Sequence, residues 1–191
     1  MSKFLLLLGP SGVGKSSIIE ELIRLDGRFV YISPFMTRPL REGERNKISI
    51  SGEEMDKMSE RGEFLVINEL YGVRYATPRQ PIEQALKEGD FPVLDWPIGR
   101  VSVMTKAFPN QLYIVYISPP SIEVLQQRLA RDNRDTDGHR LRSAHEESKA
   151  LESSRHSRVY DFEIVSEENQ VSKVAQTIYA SYLQQFFPQQ P

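Results

Sequence analysis

Residues 4–17 constrain this chain more than any other stretch. Five apolar residues, Phe4-Leu5-Leu6-Leu7-Leu8, run directly into Gly9-Pro10-Ser11-Gly12-Val13-Gly14-Lys15-Ser16-Ser17, and an apolar-periodic segment (Ile18, Ile19, Leu22, Ile23, Leu25) follows. Buried strand, glycine-rich turn and helix N-terminus in that order are the context a Gly-x-x-x-x-Gly-Lys-Ser phosphate loop requires. Gly9, Gly12 and Gly14 let the backbone curl so that successive N–H groups point into one concavity. The helix N-terminus adds unpaired donors and a favourable dipole. Lys15 is placed to reach the outer phosphates of a nucleoside triphosphate, and the Ser16 hydroxyl to ligate Mg²⁺.

Composition narrows the setting. With 24 Lys+Arg against 26 Asp+Glu, a net charge of −2, no global basic field points to a nucleic-acid or membrane partner. The chain has no cysteine, which excludes disulfides and thiol catalysis and suits a reducing compartment. The apolar run 4–8 is too short for a signal-peptide core or a membrane span, so a cytoplasmic location is expected. At 191 residues the chain has room for one α/β core and a small inserted subdomain.

Short apolar runs at Phe4–Leu8, Arg28–Ser33, Phe91–Asp95, Leu112–Ile117 and Asp161–Val165 predict strands. Helical patterns at 16–26, 78–88, 98–107, 121–131, 139–156 and 170–186 alternate with them. This predicts an α/β fold of the P-loop NTPase type, a parallel sheet with helices on both faces. Two segments break the alternation. Residues 34–77 are rich in charge, Gly, Ser and Met and read as an insertion. Residues 131–140, Arg-Asp-Asn-Arg-Asp-Thr-Asp-Gly-His-Arg, read as a short lid whose arginines close over phosphates. The chain is therefore one domain, with a core of 1–33, 78–130 and 141–191.

In its ordered motifs the chain resembles the guanylate kinase family of nucleoside monophosphate kinases. Thr37-Arg38-Pro39-Leu40-Arg41-Glu42-Gly43-Glu44 is similar to that family's Thr-Arg-x-x-Arg-x-Gly-Glu. Phe64-Leu65, Glu69 and Tyr71-Gly72-Val73-Arg74-Tyr75-Ala76-Thr77 are similar to its Phe-Leu-Glu…Glu…Phe-Gly-x-x-Tyr-Gly-Thr/Ser stretch. Val93-Leu94-Asp95 and Pro119-Pro120-Ser121 with Leu125 and Arg128-Leu129 complete the set.

The resemblance implies Mg²⁺-dependent transfer of the ATP γ-phosphoryl group to GMP or dGMP, with residues 9–17 holding ATP and Ser16 the metal. It makes 34–77 the acceptor-binding insertion, with Ser33, Arg38, Arg41, Glu69, Tyr75, Thr77 and Asp95 as substrate-binding residues. The chemistry agrees. Arg38 and Arg41 can fork a dianionic phosphate, Tyr75 can donate to it, and Thr77 can donate to guanine O6. A carboxylate, Glu69 with Asp95 as a possible second, suits the guanine N1–H and N2–H₂ edge. Lys15, Arg38, Arg131, Arg134 and Arg140 are the catalytic cations, with Arg131 and Arg134 competing for one lid role. His139, His145 and His156 have no ligand spacing, so no metal beyond Mg²⁺ is expected.

The chain departs from the family pattern at the acceptor site. Pro34 stands where a base-contacting serine is usual, and Arg45-Asn46-Lys47-Ile48 replaces a stretch with a phosphate-contacting tyrosine, a role Lys47 or Arg45 could take. Leu94-Asp95-Trp96-Pro97 lacks the family's second aspartate, and the lid is short. The pattern also resembles the ribose 1,5-bisphosphate phosphokinases, a sugar-phosphate alternative. A non-catalytic guanylate kinase-like interaction module is a third reading, against which the unbroken loop stands. Small-molecule nucleotide substrates are the expected partners, with neither nucleic acid nor membrane, and a monomer or homodimer is expected.

Overall fold

The computed structural model describes residues 4–40, 44, 46–70, 72–131, 138–153 and 159–187. Five parallel strands form the main sheet: β1 (Phe4–Leu8), β2 (Phe29–Tyr31), β7 (Phe91–Asp95), β8 (Leu112–Ser118) and β9 (Phe162–Val165), in the order β2-β7-β1-β8-β9. Leu5 of the central strand β1 pairs with Val93 on one side and Tyr113 on the other. All five β1 residues are buried because both faces of the sheet are covered. Leu5 and Leu7 pack with α1 (Lys15–Leu25) and α7 (Val171–Phe186). Phe4, Leu6 and Leu8 pack on the other face with α3 (Gln80–Glu88), α4 (Val101–Ala107) and Trp96. Each such side chain contributes roughly 1.5–3 kcal/mol of burial.

The helix ends follow local chemistry. Pro81 lies in the first turn of α3, where a missing N–H costs nothing, and Gly89 closes it in the left-handed region. Tyr182 of α7 sits in an aromatic cluster, its ring 5.2 Å from Phe91, 5.4 Å from Phe29 and 5.1 Å from Phe186. Asp26 ends α1. Its carboxylate accepts from the Arg28 guanidinium at 2.6 Å and from the Tyr179 hydroxyl at 3.0 Å, tying α1 to α7.

The hydrogen bonds from Arg28, aided by Tyr179, outweigh the opposing effect of burial and hold the Asp26 carboxyl down at about 2. A depressed carboxyl stabilises the fold above its unfolded value near 4 and loses that contribution as pH falls toward 2. Asp26→Asn is therefore expected to cost about 1 kcal/mol at pH 7, after allowance for the half-exposed arginine, and almost nothing at pH 2. Urea unfolding at both pH values checks this, and an equal cost at both contradicts it.

Residues 35–78 build a second sheet from β3 (Phe35–Met36), β4 (Ile48–Ser49), β5 (Phe64–Leu70) and β6 (Val73–Pro78), in the order β4-β3-β6-β5. The strands β3 and β4 run parallel and the other pairings are antiparallel. Helix α2 (Gly52–Glu60) covers one face, with Met55 against Phe64 and Ala76. Ser51 caps it by accepting from the Glu54 N–H at 3.1 Å. The remaining helices are α5 (Ile122–Arg131) and α6 (His139–Ser153), packed through Leu125, Leu129, Leu141 and Ala144. No helix among the described residues is long and apolar enough to cross a membrane.

Candidate functional site

The loops that leave the carboxyl ends of the parallel strands meet on one edge of the main sheet, where open α/β sheets place their ligands. Residues 9–14 join β1 to α1 there. Gly9 has φ +131°, and a Cβ on it would lie 2.2 Å from the Ile117 carbonyl oxygen, so β8 backs directly onto the loop. Gly12 has φ +87°, and a Cβ there would meet Leu129 of α5 at 2.9 Å. Neither position accommodates a side chain without displacement. Buried Val13 anchors the loop in the core, and Arg128 donates to the Val13 carbonyl at 3.5 Å and the Ser166 carbonyl at 2.9 Å.

The Lys15 ammonium donates to the carbonyls of Gly9 at 2.6 Å and Pro10 at 3.0 Å. Burial pushes its pKa down, Asp95 and Glu147 oppose that, and Lys47 and Arg140 add to it. Asp95, at the end of β7, accepts from the Tyr31 hydroxyl at 2.9 Å and faces the Lys47 ammonium at 3.4 Å, which itself donates to Tyr31 at 2.6 Å. Burial raises the Asp95 carboxyl, but Lys47, Lys15 and Tyr31 more than offset it and hold it below the usual range. Glu147 of α6 lies against the Tyr116 hydroxyl, with its Oε1 buried and unpaired. Burial raises this carboxyl although Lys15 is near.

On the small sheet, Arg38 makes a bidentate pair with Glu44 at 2.6 and 2.7 Å, while the Tyr75 hydroxyl lies beside the same guanidinium. Its Nε is buried without a partner. Glu44 thus holds the Arg38 fork in place. Ser33 donates to the Asn46 carbonyl at 2.8 Å and so ties the end of β2 to the segment before β4. Lys47, which follows that segment, reaches Asp95 and Tyr31, not Arg38.

Strand parity sorts the remaining residues. Asn68 pairs with Tyr75 and Val66 with Thr77, so these four share one face; Val66 packs into the main core beneath it. Ile67 with Ala76, and Glu69 with Arg74, share the other. That other face belongs to α2, where Arg74 reaches Asp56 at 2.6 Å. Glu69 is exposed there, on the face opposite to that of Tyr75 and Thr77. The residue turned inward next to Tyr75 is Asn68.

Of the lid residues, Arg140 at the start of α6 donates to the Ser11 hydroxyl at 2.5 Å and thereby reaches the phosphate loop. Arg131 instead lies 3.3 Å from Glu168, in the turn before α7. Arg41, Arg45 and Arg134 lie outside the described residues. Sequence reasoning missed Asn68, Tyr31, Tyr116 and Glu147. The two residues between β5 and β6 carry the signal for Asn68, because counting back across a two-residue connection sets Asn68 opposite Tyr75. Tyr31 meets Asp95, and Glu147 lies near Lys15 with Tyr116 beside it, through tertiary packing alone.

A glycine-rich loop backed by a parallel sheet, with its lysine held over the loop and an arginine arriving from a distant helix, defines a P-loop phosphate-binding protein. Comparison with known proteins narrows the class. The guanylate kinase family model matches residues 1–185. The chain is similar to a guanylate kinase of Rickettsia prowazekii, 34% identical over 173 residues, covering 86% of this chain and 83% of that protein. It is also similar to one of a Nostoc species, 31% identical over 172 residues, covering 87% and 83%. The crystal structure of guanylate kinase from Anaplasma phagocytophilum superposes with a TM-score of 0.74 at 21% identity, covering 98% of this chain and 88% of that one. Shikimate kinase from Acinetobacter baumannii shares the fold at a TM-score of 0.54 and 16% identity, covering 98% and 96%. The chain belongs to the guanylate kinase family.

Glu69→Gln gives a direct check of the strand parity. With the carboxylate on the α2 face, the variant is expected to keep the KM for a monophosphate acceptor within about twofold, where loss of a charged hydrogen bond to a base costs on the order of 1.5–3 kcal/mol. A rise of tenfold or more contradicts the placement.

Proposed function

We propose that the chain catalyses Mg·ATP + GMP (or dGMP) ⇌ ADP + GDP (or dGDP) by in-line phosphoryl transfer. The observation that carries this is the juxtaposition of an unbroken phosphate loop, capped by Arg140 from α6, with a small sheet that presents the Arg38–Tyr75 pair. Residues 9–17 hold the triphosphate of ATP through backbone N–H groups. Lys15 leaves the Gly9 and Pro10 carbonyls for the outer phosphates, and its charge matters most as negative charge shifts in the transition state.

The residues present fit Mg²⁺. Ser16 is exposed in the first turn of α1 and its hydroxyl makes no hydrogen bond among the described residues, so it is available as a ligand. No group of three or more His, Cys, Asp or Glu able to cage an ion occurs among the described residues. One protein oxygen with phosphate oxygens and waters is the donor set Mg²⁺ favours, and the ion, when bound, neutralises phosphate charge.

Arg38 and Tyr75 take the acceptor phosphate, with Arg41 as a second fork; Thr77 and Ser33 line the way to the base, and Asp95 orders Tyr31 and Lys47 at its edge. Arg140 bridges the loop and the transferring group, while Arg131 or Arg134 supplies the second lid cation. The acceptor oxygen is already anionic, so positioning and charge neutralisation suffice without a strong base. The intact loop, with Lys15 and Ser16, favours catalysis over a non-catalytic interaction module.

One observation favours a second reading, a sugar-phosphate acceptor such as ribose 1,5-bisphosphate. Glu44 is paired with Arg38, Asp95 with Lys47, and Glu69 faces away, so none of these three carboxylates stands open to a guanine edge. Hydrogen exchange separates the readings. GMP alone is expected to protect amides of β3 and β6, and a non-hydrolysable Mg·ATP analogue those of 9–16. Protection of β3 and β6 by ribose 1,5-bisphosphate but not by GMP selects the second reading.

A further inference from the structure

Lys47 crosses from the small sheet to the main sheet and ends beside the phosphate loop. The connection after β2 fixes its backbone on both sides. The Asn46 carbonyl accepts from the Ser33 hydroxyl at 2.8 Å, and the Ile48 N–H donates to the Pro34 carbonyl at 3.4 Å. The Lys47 ammonium donates to the Tyr31 hydroxyl at 2.6 Å and faces Asp95 at 3.4 Å, while Tyr31 itself donates to Asp95 at 2.9 Å. Burial and the Asp95 charge keep that phenol protonated, so its one proton points to Asp95 and a lone pair to Lys47. An ammonium has three N–H groups, and Tyr31 and Asp95 take two. The third has no partner among the described residues, and the side chain keeps 15% of its surface exposed.

Asp95 stands at the foot of the loop. It is the register partner of Leu7, two residues before Gly9, whose carbonyl accepts from the Lys15 ammonium at 2.6 Å. Lys47 and Lys15 thus approach one carboxylate, one from the segment before β4 and the other from the loop. Arg140 and Glu147 are the other charges felt at Lys15. Three cations therefore face two carboxylates, and burial drives the Glu147 carboxyl toward its neutral form. Like charges gathered in a partly buried place are costly unless an anion joins them. ATP lies on the loop and the acceptor phosphate on the small sheet, so the anion that comes between these two lysines is the phosphoryl group in transit.

We propose that Lys47 is a further catalytic residue. Its third N–H and its charge meet the γ-phosphoryl group as it leaves ATP, with Lys15 reaching the same group from the loop. Asp95 and Tyr31 are positioning residues that act through Lys47, holding its ammonium at the cleft before either substrate arrives. This rests on the phosphoryl-transfer reading above but not on which acceptor is used. In the step an acceptor phosphate oxygen bonds to the γ-phosphorus, the bond from that phosphorus to the β–γ bridging oxygen breaks, and ADP leaves with the electron pair. Lys47 keeps its protons throughout. It supplies a hydrogen bond and a charge that count most while negative charge is moving.

Single-turnover transfer from Mg·ATP by the full chain, at saturating acceptor, tests this. GMP and ribose 1,5-bisphosphate are both supplied, and the one the unmodified protein accepts is used for the variants. Lys47→Met removes charge and donors together. It is expected to slow transfer at least about 30-fold and to leave the Kd for a non-hydrolysable ATP analogue within about threefold. Lys47→Arg keeps the charge and is expected to recover transfer to within about tenfold of the unmodified rate. If Lys47→Met does not fold, Lys47→Gln decides: its amide still donates to Tyr31 and Asp95, yet the same loss is expected without the charge. A residue that merely pinned the small sheet to the main sheet would raise the KM for the acceptor and leave the rate at saturation within about threefold. That result, or Lys47→Arg as slow as Lys47→Met, overturns the assignment and leaves the kinase reading intact. Transfer to neither acceptor by the unmodified protein overturns the kinase reading itself, and the role of Lys47 with it.

Discussion

Lys15→Ala is expected to lower kcat by at least about 100-fold while leaving the protein folded. The ammonium touches two loop carbonyls, those of Gly9 and Pro10, and packs against no part of the apolar core, so its removal costs little folding energy. Its function lies with the triphosphate. A charge-assisted contact that strengthens as charge moves onto the leaving group is worth several kcal/mol in the transition state. Burial and the nearby Arg140 and Lys47 make the free ammonium costly to hold, so an incoming polyanion relieves an existing strain on that charge. Circular dichroism and single-turnover transfer check the two halves of this expectation. Activity within a few-fold of the unmodified enzyme contradicts the role of the loop.

Gly9→Ala is expected to damage the fold and the site together. The new methyl would stand 2.2 Å from the Ile117 carbonyl oxygen, a backbone atom of a central strand that cannot swing aside. The φ of +131° lies where residues other than glycine are strained. Clash and strain together are expected to cost on the order of 3–5 kcal/mol, with a Tm lower by roughly 10 °C. If the loop gives way instead of β8, stability recovers in part but the cradle of N–H groups is lost. Thermal melts with and without an ATP analogue distinguish these routes. An unchanged Tm with unchanged ATP affinity contradicts the close packing of the loop on β8.

The main sheet is legible in the sequence where apolar runs are long and bounded by turn signals. Phe4–Leu8 and Phe91–Asp95 are expected as strands and form them over the same residues, because each is buried on both faces and its pattern is continuous. The small sheet is another matter. Strands β3 and β4 are two residues each, and both residues of β4 are exposed, so no periodicity marks them and pairing alone holds them. Order along the chain suggests Glu69 for the base, yet the strand period of two turns it to α2 and brings in Asn68. Lys47 is legible as a substitute for a missing phosphate-site tyrosine, but the fold spends it on Asp95 and Tyr31. Glu147 and Tyr116 lie 31 residues apart by position and meet because the fold brings α6 and β8 together at that point, with Lys15 near Glu147, which no local pattern records.

The account stands or falls on where the γ-phosphoryl group of ATP goes. The most direct measurement is product identification after incubation of the full chain with γ-labelled ATP, Mg²⁺ and an equimolar panel of GMP, dGMP, AMP, UMP, CMP and ribose 1,5-bisphosphate. The account predicts label in GDP and dGDP, lost on chelation of Mg²⁺ and lost again in Lys15→Ala. Label confined to a sugar product, or released as inorganic phosphate with every acceptor, contradicts it.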